Sequence, residues 1–513
     1  MFHIRRTVLA FAAMLLSAET GFAAPAVTLV PVAGPPTTDI TVNGTGFGPN
    51  AAVDIFFDTS DLCLALASGA GAIDCVIRAP SFAQPQAHWI SAVQRSWGTG
   101  AQKAFTVRTD MAQFHGRNAV HSGTNPFENT ISPSNVASLD TLWSVHIGSA
   151  TNLIAAPVVA GGNVYVGGLG GKLYGFNALT GAPMANFPKI LPGAGFLSSP
   201  SVGGGNVYIA SENTDGALYG FNASTGTPVS GFPVILSPGF GVQPSPAFAA
   251  GQIFVADGSG KFDGLNASTG APLPNFPVTL TFFPTSASAN VLNGTVYVGS
   301  SDSKFYAFDI ATGAAAPNFP LTEGGAIRGT AAIAGGTVYF GADDNKLHAV
   351  RASDGSAIPG FPVSVAGGIE SSPAVSGGRV FVSSLDSHVY AFNAVTGGAA
   401  LWTATLDSLS RESPVVANGV VYVNTPARLY ALSAATGAML GGANIKTVDA
   451  VFTAPVVANG IVYVASSDGN LYALSVSGLA PASRLAGGSL GVRPAMSMLK
   501  PDYALKPAPL SSP

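Results

Sequence analysis

The sequence predicts an all-β protein, a β-propeller of eight blades preceded by a smaller β module. Three observations point there. First, one strand pattern, roughly "sPvv-x-G-x-VYV…LYAFNA-x-TG", recurs eight times and closes at Gly181, Gly226, Gly270, Gly313, Gly355, Gly397, Gly437 and, in degenerate form, Gly478. Successive glycines are 45, 44, 43, 42, 42, 40 and 41 residues apart by subtraction, and a repeat of about 40–45 residues built from short strands is the mark of a propeller blade. Second, short runs that alternate apolar and polar residues are punctuated by tight turns throughout. Third, only 9% of the residues are charged, while Gly 63 and Pro 37 supply turns, against roughly a quarter charged in ordinary domains.

The chain opens with a predicted secretory signal, residues 1–23. His3, Arg5 and Arg6 form a basic start, Thr7–Ala18 is apolar, and Gly21 and Ala23 precede a cut before Ala24. That run is shorter than the roughly 20 residues a bilayer span requires. Every later apolar stretch is interrupted by Gly, Pro, Asn or Asp, so no membrane span is expected. The protein is expected to be exported, to the periplasm or beyond the cell. The net charge of −4 offers no basic footprint for nucleic acid.

Residues 24–110 read as a separate module. "AVTLVPVAG" and "DITVNGTGFGPNAAVDIFFD" alternate as half-buried strands do, and "HWISAVQRS" and "KAFTVRT" read as its last two strands. Cys63 and Cys75, the two cysteines of the chain, fall inside it. A lone close pair in an exported protein predicts a disulfide; a metal site would need further ligands, and no His or Asp cluster lies beside them. The opening from Pro31 through Pro49 and the closing Ala104–Val107 strand resemble the IPT/TIG immunoglobulin-like family. The resemblance implies an Ig-like β-sandwich serving as a spacer or adhesive unit, with the cysteines stapling neighbouring strands.

Residues 111–140 form a lead-in. Its His121, Gly123, Asn125, Pro126, Glu128, Asn135, Val136, Leu139, Leu142 and Trp143 match the "htG-x-NP-x-E…NV-x-x-L-x-x-LW" stretch of the PQQ-repeat (quinoprotein-like) propeller family, which it resembles. In that family the stretch leads into the first blade.

From 141 to 478 the chain is repeats. Each predicts an inner, a middle, a third and an outer strand. The turn glycine supplies positive φ, where a Cβ would clash. Middle strands carry an aromatic at one place (Tyr165, Tyr208, Phe254, Tyr297, Tyr339, Phe381, Tyr422, Tyr463) and third strands a small residue at another (Gly175, Gly220, Gly264, Ala307, Ala349, Ala391, Ala431, Ala473). The expectation is that the large residue of one sheet faces the small residue of the next. The family's blades end "TG-x-x-x-W"; here Trp402 keeps that place, and five repeats read Phe-Pro instead, at Phe187, Phe232, Phe276, Phe319 and Phe361. Proline belongs on an edge strand, which puts these segments at the rim. The last repeat lacks an outer strand, so Leu142–Ile147 is expected to fill that slot and close the ring. Residues 479–513, rich in Ala, Pro, Ser and Gly, are expected to be disordered.

Aligning the repeats places one residue per blade at a channel mouth: Ile154, Leu197, Gln243, Ser286, Arg328, Glu370, Arg411 and Phe452. Arg328, Glu370 and Arg411 come from consecutive blades, opposite an apolar arc. Two readings stand: a solvated ion-pair network, or a small-ligand site in which Gln243 joins the three. The acidic turns at Asp302, Asp343–Asp344, Asp386 and Asp468 read as turn-capping chemistry, with calcium binding the alternative. The seven histidines show no metal-ligand spacing.

The resemblance raises pyrroloquinoline quinone (PQQ) with calcium as a cofactor. In the family's dehydrogenases PQQ lies between a Trp and a disulfide of adjacent cysteines, with an Asp base. This chain departs from that pattern, for Cys63 and Cys75 are not adjacent, Trp143 and Trp402 belong to outer strands, and no C-x-x-C-H haem motif occurs. The expected function is therefore non-catalytic, with no cofactor. The protein would be a monomeric platform taking a protein, small-molecule or carbohydrate ligand at the channel mouth. A divergent quinoprotein oxidoreductase and a surface adhesin are the alternatives.

Overall fold

A computed structural model describes residues 23–477 apart from 97–98, 149–154, 169, 192–197, 212–214, 281–286, 441–452 and 467. The expected signal, the expected disordered tail, and Ile154, Leu197, Ser286 and Phe452 of the mouth positions lie outside the described residues. The described chain is strands and turns with one short 3-10 segment, Val136–Ser138. No helix among the described residues is long and apolar enough to cross a membrane.

Residues 26–107 build two sheets. One pairs Ala26–Val30, Asp39–Thr45 and Ile73–Arg78; the other pairs Ala33–Gly34, Gly100–Val107, Ala87–Gln94, Ala52–Phe57 and Ser60–Leu66 in that order. Alternation sends one face of each inward, and Val42, Ile40, Ile55, Ile90 and Phe105 meet in a common core with no exposed surface. Cys63 sits on the edge strand of one sheet and Cys75 on the edge strand of the other; their disulfide ties the two sheets together.

Eight further four-stranded sheets follow among the described residues. Their middle strands begin at Asn163, Asn206, Gln252, Thr295, Thr337, Arg379, Val420 and Ile461, and the repeats are numbered by them below. The inner strands of successive sheets touch in an unbroken cycle, the eighth lying against the first. In the eighth, Leu139–His146 pairs antiparallel with Asn470–Val476, so sequence before the first repeat completes the last one, as expected. The seventh differs: its fourth strand, Thr124–Asn125, comes from the lead-in and runs parallel to the inner strand Val415–Ala417.

The large and small positions correct the expectation about packing. They are cross-strand partners in one sheet (Tyr165 opposite Gly175, Tyr297 opposite Ala307, Tyr463 opposite Ala473) and do not face each other across sheets. The small residue makes room for an aromatic from its own repeat's rim. A Cβ on Gly175 or Gly220 would stand 3.0 Å from the Phe187 or Phe232 ring. Those Phe rings are buried, each set against the middle-strand aromatic, and the proline that follows precedes a two-residue outer strand such as Lys189–Ile190. Trp402 and Trp143 take the same place over Phe381 and Tyr463. Besides apolar packing between neighbouring sheets, tyrosine hydroxyls bond one sheet to the next. Tyr165, Tyr208, Tyr297, Tyr339 and Tyr463 donate to the carbonyls of Ala223, Ala267, Ala352, Ala394 and Ala178, each in the turn of the next repeat, at 2.7–2.9 Å.

The channel as candidate functional site

The lead-in does more than deliver the chain to the first sheet. Residues 109–125 travel around the inside of the ring and bond every inner strand in turn. Backbone amides of Val159, Val202, Val291, Ile333, Val375 and Val416 donate to the carbonyls of Met111, Ala112, Ala119, Val120, Ser122 and Gly123, at 2.7–2.9 Å. The third repeat is reached by a side chain: Gln113 accepts from Phe248 N–H and donates to its carbonyl. In the eighth, Asn125 donates to Val457 O, while Thr109 and Asn459 exchange two bonds of 2.7 Å. Inner strands would otherwise present unpaired backbone to the channel; the lead-in satisfies it.

Three of the residues that carry the family resemblance, Gly123, Asn125 and Glu128, take part in this lacing. Glu128 is buried and accepts from the amides of Thr130, Ile131 and Gly460 and from the Thr109 hydroxyl. Gly123 has φ +66°, and a Cβ there would stand 2.7 Å from the Ala374 backbone. His115 and His121, both with positive φ, are buried in the channel, where their Nε2 and Nδ1 meet the carbonyls of Pro414 and Phe114. The second ring nitrogen of each has no hydrogen-bond partner among the described residues. Burial holds both imidazoles down at about 4.

Above the lead-in, hydroxyls join neighbouring repeats. Amides of Ala156, Ser245, Ser288, Thr330 and Ser372 donate to the hydroxyls of Ser199, Ser288, Thr330, Ser372 and Ser413, at 2.8–3.1 Å. Glu412 stands at this level, and burial pushes its carboxyl up to about 8 despite an amide bond from Ala454.

At the mouth the structure brings three of the four predicted residues together. Arg411 Nε meets Glu370 Oε2 at 2.8 Å, Arg328 Nε lies 3.8 Å from Glu370 Oε1, and Arg328 Nε meets Asp343 Oδ2 at 2.9 Å. The result is an Asp–Arg–Glu–Arg chain across three repeats, with the arginine side chains 45% and 61% exposed. Gln243 is exposed and does not join it. Asp343, expected as a turn residue or calcium ligand, joins the mouth instead. The remaining acidic turns behave as turns: Asp302, Asp344, Asp386 and Asp468 each accept the amide two residues on, and each also takes the side chain four residues on, from Tyr306, His348, Tyr390 and Tyr472. His348 thus fills a tyrosine's role. No group of three or more metal-ligating side chains occurs among the described residues.

Set on this geometry, comparison with known proteins gives a family. The chain belongs to the PQQ-like repeat family whose model is described as outer membrane protein assembly factor BamB, matched at residues 128–358, 215–440 and 396–480. No curated protein sequence matches the chain. Among solved structures it is similar to BamB from Moraxella catarrhalis, at 19% identity and TM-score 0.54, over 66% of this chain and 98% of that one. It is also similar to the quinohemoprotein alcohol dehydrogenase ADHIIG from Pseudomonas putida HK5 (14%, TM-score 0.59, 72% and 81%) and to a europium-containing methanol dehydrogenase (12%, TM-score 0.59, 72% and 98%). At these identities the likeness defines the fold, a PQQ-type β-propeller. It embraces assembly factors and dehydrogenases alike.

The cofactor that the dehydrogenase relatives suggest does not fit the residues described. The disulfide joins Cys63 and Cys75 in the N-terminal sheets, away from the channel. Trp143 and Trp402 lie on outer strands and donate their indole N–H to turn carbonyls of Ala178 and Ala434. The mouth arginines are already engaged by carboxylates.

Proposed function

We propose that this chain is an exported, non-catalytic binding protein. The eight sheets are the blades of one propeller, and residues 24–110 form an IPT/TIG-like, Ig-type module that spaces it from its surroundings. Binding takes place at the mouth over the fifth to seventh repeats. The observation that carries this reading is the lead-in bonded to all eight inner strands. A channel filled at one end by the chain's own backbone leaves the opposite face, with its Asp343–Arg328–Glu370–Arg411 chain, as the polar recognition surface. Alternating charges spread over three repeats favour a macromolecular partner with a matching polar pattern, and the assembly factor among the structural relatives makes a protein partner the natural class.

The test is capture from envelope extracts by the wild-type protein and by the Arg328→Ala/Glu370→Ala/Arg411→Ala variant. A partner held by the former and lost by the latter supports the reading; equal capture, or none, refutes it. Thermal melting with PQQ and Ca²⁺ tests the oxidoreductase alternative, since a ligand that binds only the folded state must raise the midpoint.

A further inference from the structure

Five of the eight repeats share a turn cap that the fifth lacks. After the third strand, Asn177, Asn222, Asn266, Asp309 and Asn393 each accept an amide three residues on with Oδ1, which caps the turn. The fifth repeat has Arg351 at that position, and a guanidinium cannot accept a hydrogen bond. Asp354 stands where most other repeats have Thr and makes the bond that Thr makes there, accepting from the amide two residues on, Ser356 N–H, at 2.9 Å. The turn itself persists through its backbone bond, Gly355 N–H to Arg351 O at 2.9 Å, while the side chain at 351 caps none of its amides.

The Arg351 side chain lines a cleft of about 470 Å³ between the fourth and fifth repeats. The cleft lies at the inner-to-middle strand turns, the opposite end of the inner strands from the mouth. Its polar lining is Arg351, Ser353, Asn293, Thr295 and Thr337, and Pro317 and Ile358 supply apolar wall. Arg351 is exposed, its Nη1 donates to Ser356 Oγ at 3.1 Å, and its charge is also felt by the nearby Asp354 carboxylate. The Tyr297 hydroxyl, at the same seam, is committed to Ala352 O, so the two sheets are joined beneath the cleft and its walls are held in place.

We propose that this cleft binds a small sugar acid. A guanidinium pairs with a carboxylate in a forked, charge-assisted geometry. Neutral hydroxyls and an amide suit the sugar's hydroxyls, and the apolar wall suits its C–H face. The site is separate from the mouth and does not depend on it.

The experiment is calorimetric titration with D-glucuronate and, in parallel, D-glucose. Glucuronate should bind the wild type at least about tenfold more tightly than glucose. Arg351→Asn restores the residue the repeat prefers, so it should fold at least as well as the wild type, and it should lose that preference. The Arg328→Ala/Arg411→Ala variant should bind glucuronate as the wild type does, which keeps this outcome distinct from failure of the mouth. Absence of glucuronate binding, equal affinity for glucose, or undiminished binding by a folded Arg351→Asn protein would each overturn the proposal.

Discussion

Acid should loosen the channel, and the two histidines of the lead-in set the size of the effect. His115 and His121 are 3% and 0% exposed and each is held down to about 4 from 6.5. Above the unfolded value both states are neutral there and nothing is gained or lost. As pH falls below it, the unfolded chain takes up protons that the folded chain refuses, and stability declines until the folded value is reached. A tenfold difference in proton affinity is about 1.4 kcal/mol, so each histidine withdraws about 3 kcal/mol between pH 6.5 and 4. That is a large share of the 5–15 kcal/mol a folded domain typically holds. Urea unfolding across this range should show the decline in the wild type. Asn tolerates the left-handed backbone that both positions adopt, so His115→Asn/His121→Asn should flatten the pH dependence whatever it does to absolute stability. If wild type and double variant lose the same stability between pH 6.5 and 4, the histidines do not differ between states and the description of the channel is wrong.

Glu412 should act in the opposite sense. Its folded value near 8 exceeds the ordinary 4.5, so its neutral form favours folding below about 4.5 and that contribution is lost as pH rises to 8; Glu412→Gln should therefore resist mild alkali better than the wild type in the same assay. Tyr297→Phe removes the donor to Ala352 O and should cost about 1 kcal/mol or somewhat more, because a buried carbonyl is left unpaired. Phe254 occupies the same position in the third repeat without a hydroxyl, so Phe254→Tyr, aimed at the Ile310 carbonyl, should raise the melting midpoint. Reducing Cys63–Cys75 should cost roughly 2–4 kcal/mol, confined to the N-terminal sheets, as read by proteolysis of residues 26–107 with the repeats left intact.

Much of the architecture was legible because it is periodic. The spacing of Gly181 to Gly478 announced the sheets, and the orphan strand around Trp143 announced how the last is completed, since a strand without a partner must find one. Alternation located the strands that end at Gln94 and Val107, and the two cysteines pointed to one disulfide. The mouth was partly legible: Arg328, Glu370 and Arg411 stood out by charge in a chain with few charges, but Asp343 did not, because nothing in a turn motif says which arginine it will face. Gln243 shared their place in the alignment and still stands apart from them, since a common register does not bring side chains within reach.

What the sequence determined by itself is whatever repeats: strand order, turn chemistry, and the aromatic and small positions of every sheet. What only the tertiary structure decided is whatever occurs once. The lead-in contains no period, so nothing in "MAQFHGRNAVHSGTN" shows that it will encircle the channel. Its course is set by inner-strand backbone groups from eight distant stretches of chain, which come to line one continuous circuit only when the ring has formed. The burial of His115 and His121 is likewise a consequence of that enclosure, because water is excluded there by residues more than a hundred positions away.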